Sequence, residues 1–269
     1  MATVSALTSY PIKGCAGVAV DRAEVTPTGF AQDRVFAVVG ADGGCLWQGE
    51  TPWLAAVRVR LHDGGSRLAL SAPGAGSGSG FGEVVLDVVT DAAAARPVDV
   101  EKWPGTGIDQ GDDVAEWLSG VLSRPVRLVR EPDRATRARG EPDPTALHLL
   151  SMSSLDSLNA RIVARGAEPL PMDRFRPNIV VDGWPEPHTE DRVVRLGIGH
   201  AEIGFGELAT RCAVTRVDQS TGERTGPEPL RTLAEYRREA EGVSFGLKAL
   251  VLTPGEVAVG DTVTVTEWR

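Results

Sequence analysis

Cysteine and histidine are scarce in this chain, three and four copies among 269 residues. Cys15, Cys45 and Cys212 are odd in number and widely separated, which fits neither a secreted disulfide framework nor a C-x-x-C redox or zinc pair. They read as reduced thiols, and they cannot supply the four thiolates of an iron–sulfur cluster within one copy. His62, His148, His188 and His200 have no metal-ligand spacing and read as surface or satisfied core residues. Positive charge is also short, since 28 Lys and Arg against 37 Asp and Glu leave a net charge of −9. That sign is wrong for a phosphodiester backbone, so nucleic acid is excluded as the main partner. No stretch approaches the ~18 consecutive apolar residues of a membrane helix, and residues 1–14 lack a leader's basic start and apolar core. A cytoplasmic protein that does not engage membranes is expected.

What the chain does have is a succession of short β-branched runs. In the first hundred residues they fall at 18–25, 35–39, 57–61, 68–70, 84–89 and 98–100, separated by Gly, Pro and Asp, as in a β-barrel or sandwich. The run at 84–89 is nearly continuous, the pattern of a strand buried on both faces or of mixed facing. Residues 71–82, SAPGAGSGSGFG, read as a flexible loop. Helical spacing appears at 113–122, with Asp113 and Glu116 as a capping pair, at 151–166 and at 229–240. The charged segment 130–144 reads as a linker or surface loop, after which strands resume at 178–181, 193–196, 213–217, 247–252 and 262–266. The fold class expected is mainly β with a few helices, and a doubly wound sheet is disfavoured because strands and helices do not alternate.

Familiar catalytic signatures are missing: there is no H-E-x-x-H, G-x-S-x-G or Walker loop. Residues 204–209 match G-x-G-x-x-A, but a strand-like run follows where a dinucleotide fold needs a helix N-terminus. Cys212 stands between Arg211 and Arg216, whose charge would favour a thiolate able to act as nucleophile or soft metal ligand. A small cysteine buried in a strand has the same local sequence. Lys13, Arg34, Arg176 and Arg211 sit at strand ends or in loops, where they either converge on one phosphate-bearing anion or remain four separate surface charges.

Several segments in order carry a resemblance: YPIKGCAG at 10–17, TGFAQDR at 28–34, GDDVAEWLS at 111–119, LSMSSLDSLN at 150–159, RFRPNIV at 174–180, TRCAVTRVD at 210–218, PLRTL at 229–233 and VGDTV at 259–263. Together they resemble the MOSC superfamily, in the form of an N-terminal MOSC-associated β-barrel followed by a MOSC domain. The division this implies is 1–129 and 130–269. The resemblance further implies a molybdenum cofactor (molybdopterin type), with Cys212 as the protein's metal ligand. It implies cofactor contacts at Lys13, Gly14, Arg34, Thr145, Arg176, Asn178, Thr210 and Arg211. Asp191 resembles an acidic position that could relay protons, although a solvated turn carboxylate reads the same way.

The activity implied is reduction of N-hydroxylated or N-oxide-type small molecules, as in amidoxime-reducing proteins. Electrons are expected from a separate protein of iron–sulfur, flavin or haem type, with a basic patch to match the negative charge. The alternative is a carrier that holds a persulfide on Cys212 or hands the cofactor on. One departure from the pattern is Phe245-Gly246-Leu247-Lys248, where relatives often carry a polar amide after Phe-Gly.

Overall fold

The computed structural model describes residues 1–73 and 81–269, and the centre of the glycine–serine segment lies outside them. The ends of that segment are strand: Arg67–Ala72 pairs antiparallel with Phe81–Asp87. The protein is mostly β, as the spacing of its β-branched runs requires. Four α-helices are described: α1 (Asp112–Leu122), α2 (Arg134–Arg137), α3 (Met152–Ala164) and α4 (Leu230–Tyr236).

The largest sheet has nine strands. Its main path runs Val263–Trp268, Val193–Ile198, Ala201–Arg211, Gly242–Thr253, Leu147–Ser151, Ile179–Asp182, Thr3–Ser9 and Val18–Val20, with Arg238–Glu239 paired to Gly242–Thr253. Leu147–Ser151 and Ile179–Asp182 are parallel, and α3 makes the crossover between them. The chain's first strand therefore completes a sheet built mostly by its second half. Ala2, Val4, Leu7, Val25 and Phe30 share one core with Leu147, Ile179, Leu196, Ile203, Leu247 and Val257. A second core holds Ile12, Cys15, Val38, Leu54, Leu70, Leu118 and Leu128, under the four-stranded sheet of Phe36–Gly40, Val126–Arg130, Gly105–Asp109 and Ala95–Val98. Residues 10–36 contribute to both, Val25 and Phe30 to the first core and Ile12, Cys15, Val35 and Phe36 to the second.

Helix α1 buries Val114, Leu118, Val121 and Leu122, the stripe read from its spacing. Its expected Asp113–Glu116 cap does not form; Gly111 holds the N-cap position without a side-chain bond. Helix α3 starts as the sequence indicates, on Ser151, whose hydroxyl accepts from the Ser154 amide. Ser151 also donates to the fully buried carboxylate of Glu190 at 2.8 Å, tying the helix start to the 3-10 turn Thr189–Arg192.

Several expectations are corrected. Residues 213–217 are not a strand: Ala213–Arg216 is a 3-10 turn, closed by Thr215 onto the Cys212 carbonyl. The last helix stops at Tyr236, because Arg237 turns to hydrogen-bond Ser244. In the run at 84–89, Val84 and Leu86 pack inward while Val85 is 47% exposed, so the strand alternates at a sheet edge and is not buried on both faces. The 130–144 segment is no free linker either. Arg134 donates to the carbonyls of Thr28, Phe30 and Asp33, and Arg137 pairs with buried Glu131.

Candidate functional site

Four of the predicted positions line one cleft of about 280 Å³: Lys13, Gly14, Arg34 and Arg176, together with Trp47, Gln48, Glu101 and Val214. The local backbone explains the convergence. Phe36 N–H donates to Pro11 O and Lys13 N–H to Phe36 O, so the 10–13 segment is laced to the strand that Arg34 precedes. Gly14 has φ +83°, and a Cβ there would sit 3.2 Å from Leu54 Cδ1, so the turn into the cleft needs glycine. Gln48 Nε2 donates to Gly14 O at 2.6 Å and to Gln219 Oε1 at 3.0 Å, bridging the two halves of the chain beneath the cleft.

Arg34 and Arg176 both adopt left-handed backbone conformations, with φ 52° and 57°. Such strain in non-glycine residues persists where surrounding contacts over-determine it, and here the contacts are identifiable. Arg34 pairs with the buried Asp33 carboxylate, whose Oδ1 also accepts from Tyr10 N–H (2.7 Å) and Asn178 Nδ2 (3.0 Å). Asn178 Oδ1 in turn accepts from Arg34 Nη1 and from the His148 amide. Arg176 Nη1 donates to Gln219 Oε1 at 2.8 Å. Both guanidiniums lie over the Tyr10 ring, that of Arg176 4.1 Å and that of Arg34 5.0 Å from its centroid. Burial pushes the Tyr10 phenol up to about 12, so it stays protonated and donates to Pro177 O.

Arg211 closes the strand Ala201–Arg211 and folds back toward this group. Its Nη2 donates to Phe175 O at 2.8 Å, its Nη1 lies 3.3 Å from His148 Nε2, and its Nε is enclosed without a partner. Burial pulls the Arg211 guanidinium down to about 10; the nearby Arg34 and Arg176 charges act in the same direction and Cys212 against it. Arg176 is depressed from its ordinary value for the same first reason. Among the described residues neither Arg176 nor Arg211 forms an ion pair with a carboxylate, whereas neighbouring buried Arg174 pairs with Asp218 at 3.2 Å. Buried Arg176 and half-buried Arg211 are thus left without an anion.

Cys212 is exposed at the end of this strand, immediately before the 3-10 turn that carries Val214 to the cleft. The alternative of a small cysteine buried in a strand does not hold. Cys15, by contrast, is fully buried and pushed up to about 12 by desolvation, and Cys45 is half-buried and also raised.

Six predicted positions do not line the cleft: Asn178, Arg211 and Cys212, placed above, and Thr210, Thr145 and Asp191. Thr210 is exposed on the same strand as Arg211, opposite Ser244. Thr145 hydrogen-bonds Asp143 and Lys102 beside a second cleft of about 370 Å³. That larger cleft is lined by charges that cancel, Lys102 and Arg137 both bonding Asp143. In the smaller one Lys13 pairs with Glu101 at 3.6 Å and Arg34 with Asp33, and Arg176 is the lining cation without a carboxylate among the described residues. Asp191 binds Arg237 at 2.5 Å under α4, and Arg237 continues to Ser244, behind the Thr210–Arg211 strand.

Residue-by-residue reading missed Tyr10, Asp33, Gln48, Gln219 and His148. The sequence does signal Asp33, as the acid beside Arg34. The others are single polar residues whose roles depend on contacts far along the chain. In the segment noted as a departure, Phe245 and Gly246 are structural, Phe245 packing tilted on Phe175 with centroids 4.6 Å apart and Gly246 (φ +87°) leaving room for His148, while Leu247, where relatives often carry a polar amide, is buried in the first core. Among the described residues no helix is long and apolar enough to cross a membrane.

Comparison with known proteins agrees with the order of motifs. Residues 1–125 match the MOSC N-terminal beta barrel domain and residues 136–264 the MOSC domain. The chain is 32% identical to human mitochondrial amidoxime-reducing component 1, over 97% of this chain and 82% of that protein. It is 31% identical to rat mitochondrial amidoxime reducing component 2, over 97% and 82%. It is also 30% identical to the zebrafish (Danio rerio) molybdenum cofactor sulfurase, over 91% of this chain but 31% of that protein. The chain belongs to the MOSC family, in the arrangement that joins a MOSC N-terminal β-barrel to a MOSC domain.

Proposed function

We propose that this protein is a molybdenum-cofactor oxidoreductase that reduces N-hydroxylated or N-oxide-type small molecules, with Cys212 as the protein's ligand to the metal. The observation that carries the reading is a pair of guanidiniums without a carboxylate partner, buried Arg176 and half-buried Arg211 with its Nε enclosed. An unpaired buried charge costs several kcal/mol (roughly), so such a pair is retained where an anion is to be bound. Relatives named for amidoxime reduction and for molybdenum cofactor sulfuration support the choice of anion.

The donor set fits a phosphate-bearing pterin cofactor. Lys13 and Arg34 at the rim and Arg176 in the wall would hold its anionic end, with planar guanidiniums matched to phosphate oxygens. The exposed Cys212 thiol offers a soft ligand within reach of solvent and substrate. When bound, the cofactor supplies the two-electron chemistry that removes oxygen from nitrogen. The chain's own residues orient it: Asp33 and Asn178 fix Arg34, Gln219 fixes Arg176, and both guanidiniums pack on the Tyr10 ring. Electrons come from a separate protein, and the charge of −9 favours a basic docking face on that donor. Exposure of Cys212 also suits a second reading, a sulfur or cofactor carrier with a Cys212 persulfide.

The test is metal and pterin analysis of wild type and Cys212→Ser from a host able to make the cofactor. Stoichiometric molybdenum, with reduction of a simple amidoxime by an artificial donor, supports the reductase. Metal-free protein with a labile sulfur on Cys212 supports the carrier. Full metal content and activity in Cys212→Ser would remove Cys212 from the metal.

A further inference from the structure

Arg211 is held at only two of its nitrogens, by Phe175 O and by His148 Nε2, while its Nε has no partner. An arginine has donors and no acceptor, so His148 Nε2 can face it at 3.3 Å only as an acceptor. The ring proton must then lie on Nδ1, which is 3.4 Å from the carbonyl oxygen of Arg176. One neutral imidazole thus touches the side chain of one unpaired arginine and the strained backbone of the other.

We propose that His148 is a positioning residue of the anion site, a neutral imidazole with its proton on Nδ1 that aims Arg211 through Nε2 and pins the Arg176 backbone through Nδ1–H. This deepens the proposed function and rests on its anion site. The surroundings fix the ring from every side. Its amide donates to Asn178 Oδ1 and its carbonyl accepts from the Asn178 amide at 2.7 Å, so its strand is registered to the residue that also binds Arg34. Gly246 lies against it, where a Cβ would come within 2.8 Å of Nε2. The charged groups acting on the ring are Arg211, Arg34 and Lys248, all cations, and together with burial they hold it well below its ordinary value. A protonated ring would also turn an N–H toward the Arg211 guanidinium. A neutral acceptor instead orients Arg211 without neutralising it, so its charge remains available to the ligand; a carboxylate at this position would cancel that charge.

The experiment compares wild type, His148→Gln and His148→Leu as cofactor-free protein, with inorganic pyrophosphate as probe. Glutamine can accept and donate, whereas leucine fills similar space and can do neither. We expect long-range ¹⁵N–¹H NMR to show His148 neutral with the proton on Nδ1. We expect His148→Leu to bind pyrophosphate about tenfold more weakly, the scale of one charge-assisted hydrogen bond, with His148→Gln staying within about threefold of wild type. The Arg211 ¹⁵Nε–¹H heteronuclear NOE should fall in the leucine variant and recover in the glutamine variant. A proton on Nε2, an imidazolium at neutral pH, or identical Arg211 order in the two variants would overturn the proposal. If wild type bound no pyrophosphate, the anion reading would fall, while the tautomer and the Arg211 NOE would still decide the role of His148.

Discussion

Arg174 and Arg176 are two residues apart and both buried, yet replacing them by methionine should shift stability in opposite directions. Arg176→Met removes the bond to Gln219 and the stacking on Tyr10, together about 3 kcal/mol. It also removes an enclosed charge without a counter-ion, and its repulsion with Arg34 and Arg211, worth about 4 kcal/mol. The net is a gain of about 1 kcal/mol, or a rise in Tm of about 2–4 °C for a chain of this size. The φ of 57° is unchanged, so backbone strain cancels from the comparison. Pyrophosphate affinity should fall about 10- to 100-fold, the loss of one charged contact. Arg174→Met instead removes the 3.2 Å ion pair to Asp218, which keeps its bonds from Ser220 and Thr221, and breaks the 2.6 Å bond to Thr225. It should cost about 1–3 kcal/mol, the scale of lost charge-assisted hydrogen bonds, and leave pyrophosphate affinity unchanged. Urea unfolding in phosphate-free, low-salt buffer and calorimetric titration of the same cofactor-free samples read both quantities. If Arg176→Met were destabilised and still bound pyrophosphate normally, the reasoning from unpaired charge would fail.

Asp191 is raised by burial to about 6 and His188 is lowered by burial to about 4, so each favours its neutral form. Stability from Asp191 is full below its unfolded value of 3.8 and is lost as pH rises through about 6. Stability from His188 is full above 6.5 and is lost as pH falls through about 4. The two slopes oppose each other between about 4 and 6. Asp191→Asn should therefore make stability rise with pH across that window, by up to about 2 kcal/mol, and His188→Phe should make it fall, as urea unfolding at several pH values would show. Gly14→Ala should cost about 1–2 kcal/mol, since a Cβ at φ +83° is strained and meets Leu54, and it should also weaken pyrophosphate binding. Ser151→Ala should cost about 2–3 kcal/mol in urea unfolding, because it removes the α3 cap and one partner of buried Glu190.

Where local pattern and tertiary packing agree, the elements are readable from the sequence. Helices α1 and α3 have apolar residues at helical spacing, and α3 has a serine cap as well. The strand Ala201–Arg211 is hidden because its glycines and charges look like a loop or a nucleotide-binding turn. Its glycines serve packing instead: a Cβ on Gly206 would lie 1.9 Å from Pro144 O, so the strand can pass only without a side chain. The turn at Ala213–Arg216 misleads in the other direction, its β-branched residues suggesting a strand although Thr215 caps back onto Cys212.

The sequence by itself determines the β-rich class, the MOSC membership through its ordered motifs, and the presence of one cysteine beside arginines. Those properties are local and survive reading one segment at a time. Tertiary structure decides what the charges do. Lys13, Arg34, Arg176 and Arg211 come from separate turns and strand ends, and only packing shows that Arg34 is neutralised by Asp33 while buried Arg176 and half-buried Arg211 have no carboxylate partner among the described residues. It also gives His148, which has no motif, its place between them. Whether a buried charge is satisfied depends on distance and desolvation, and neither is encoded in the spacing of residues along a chain.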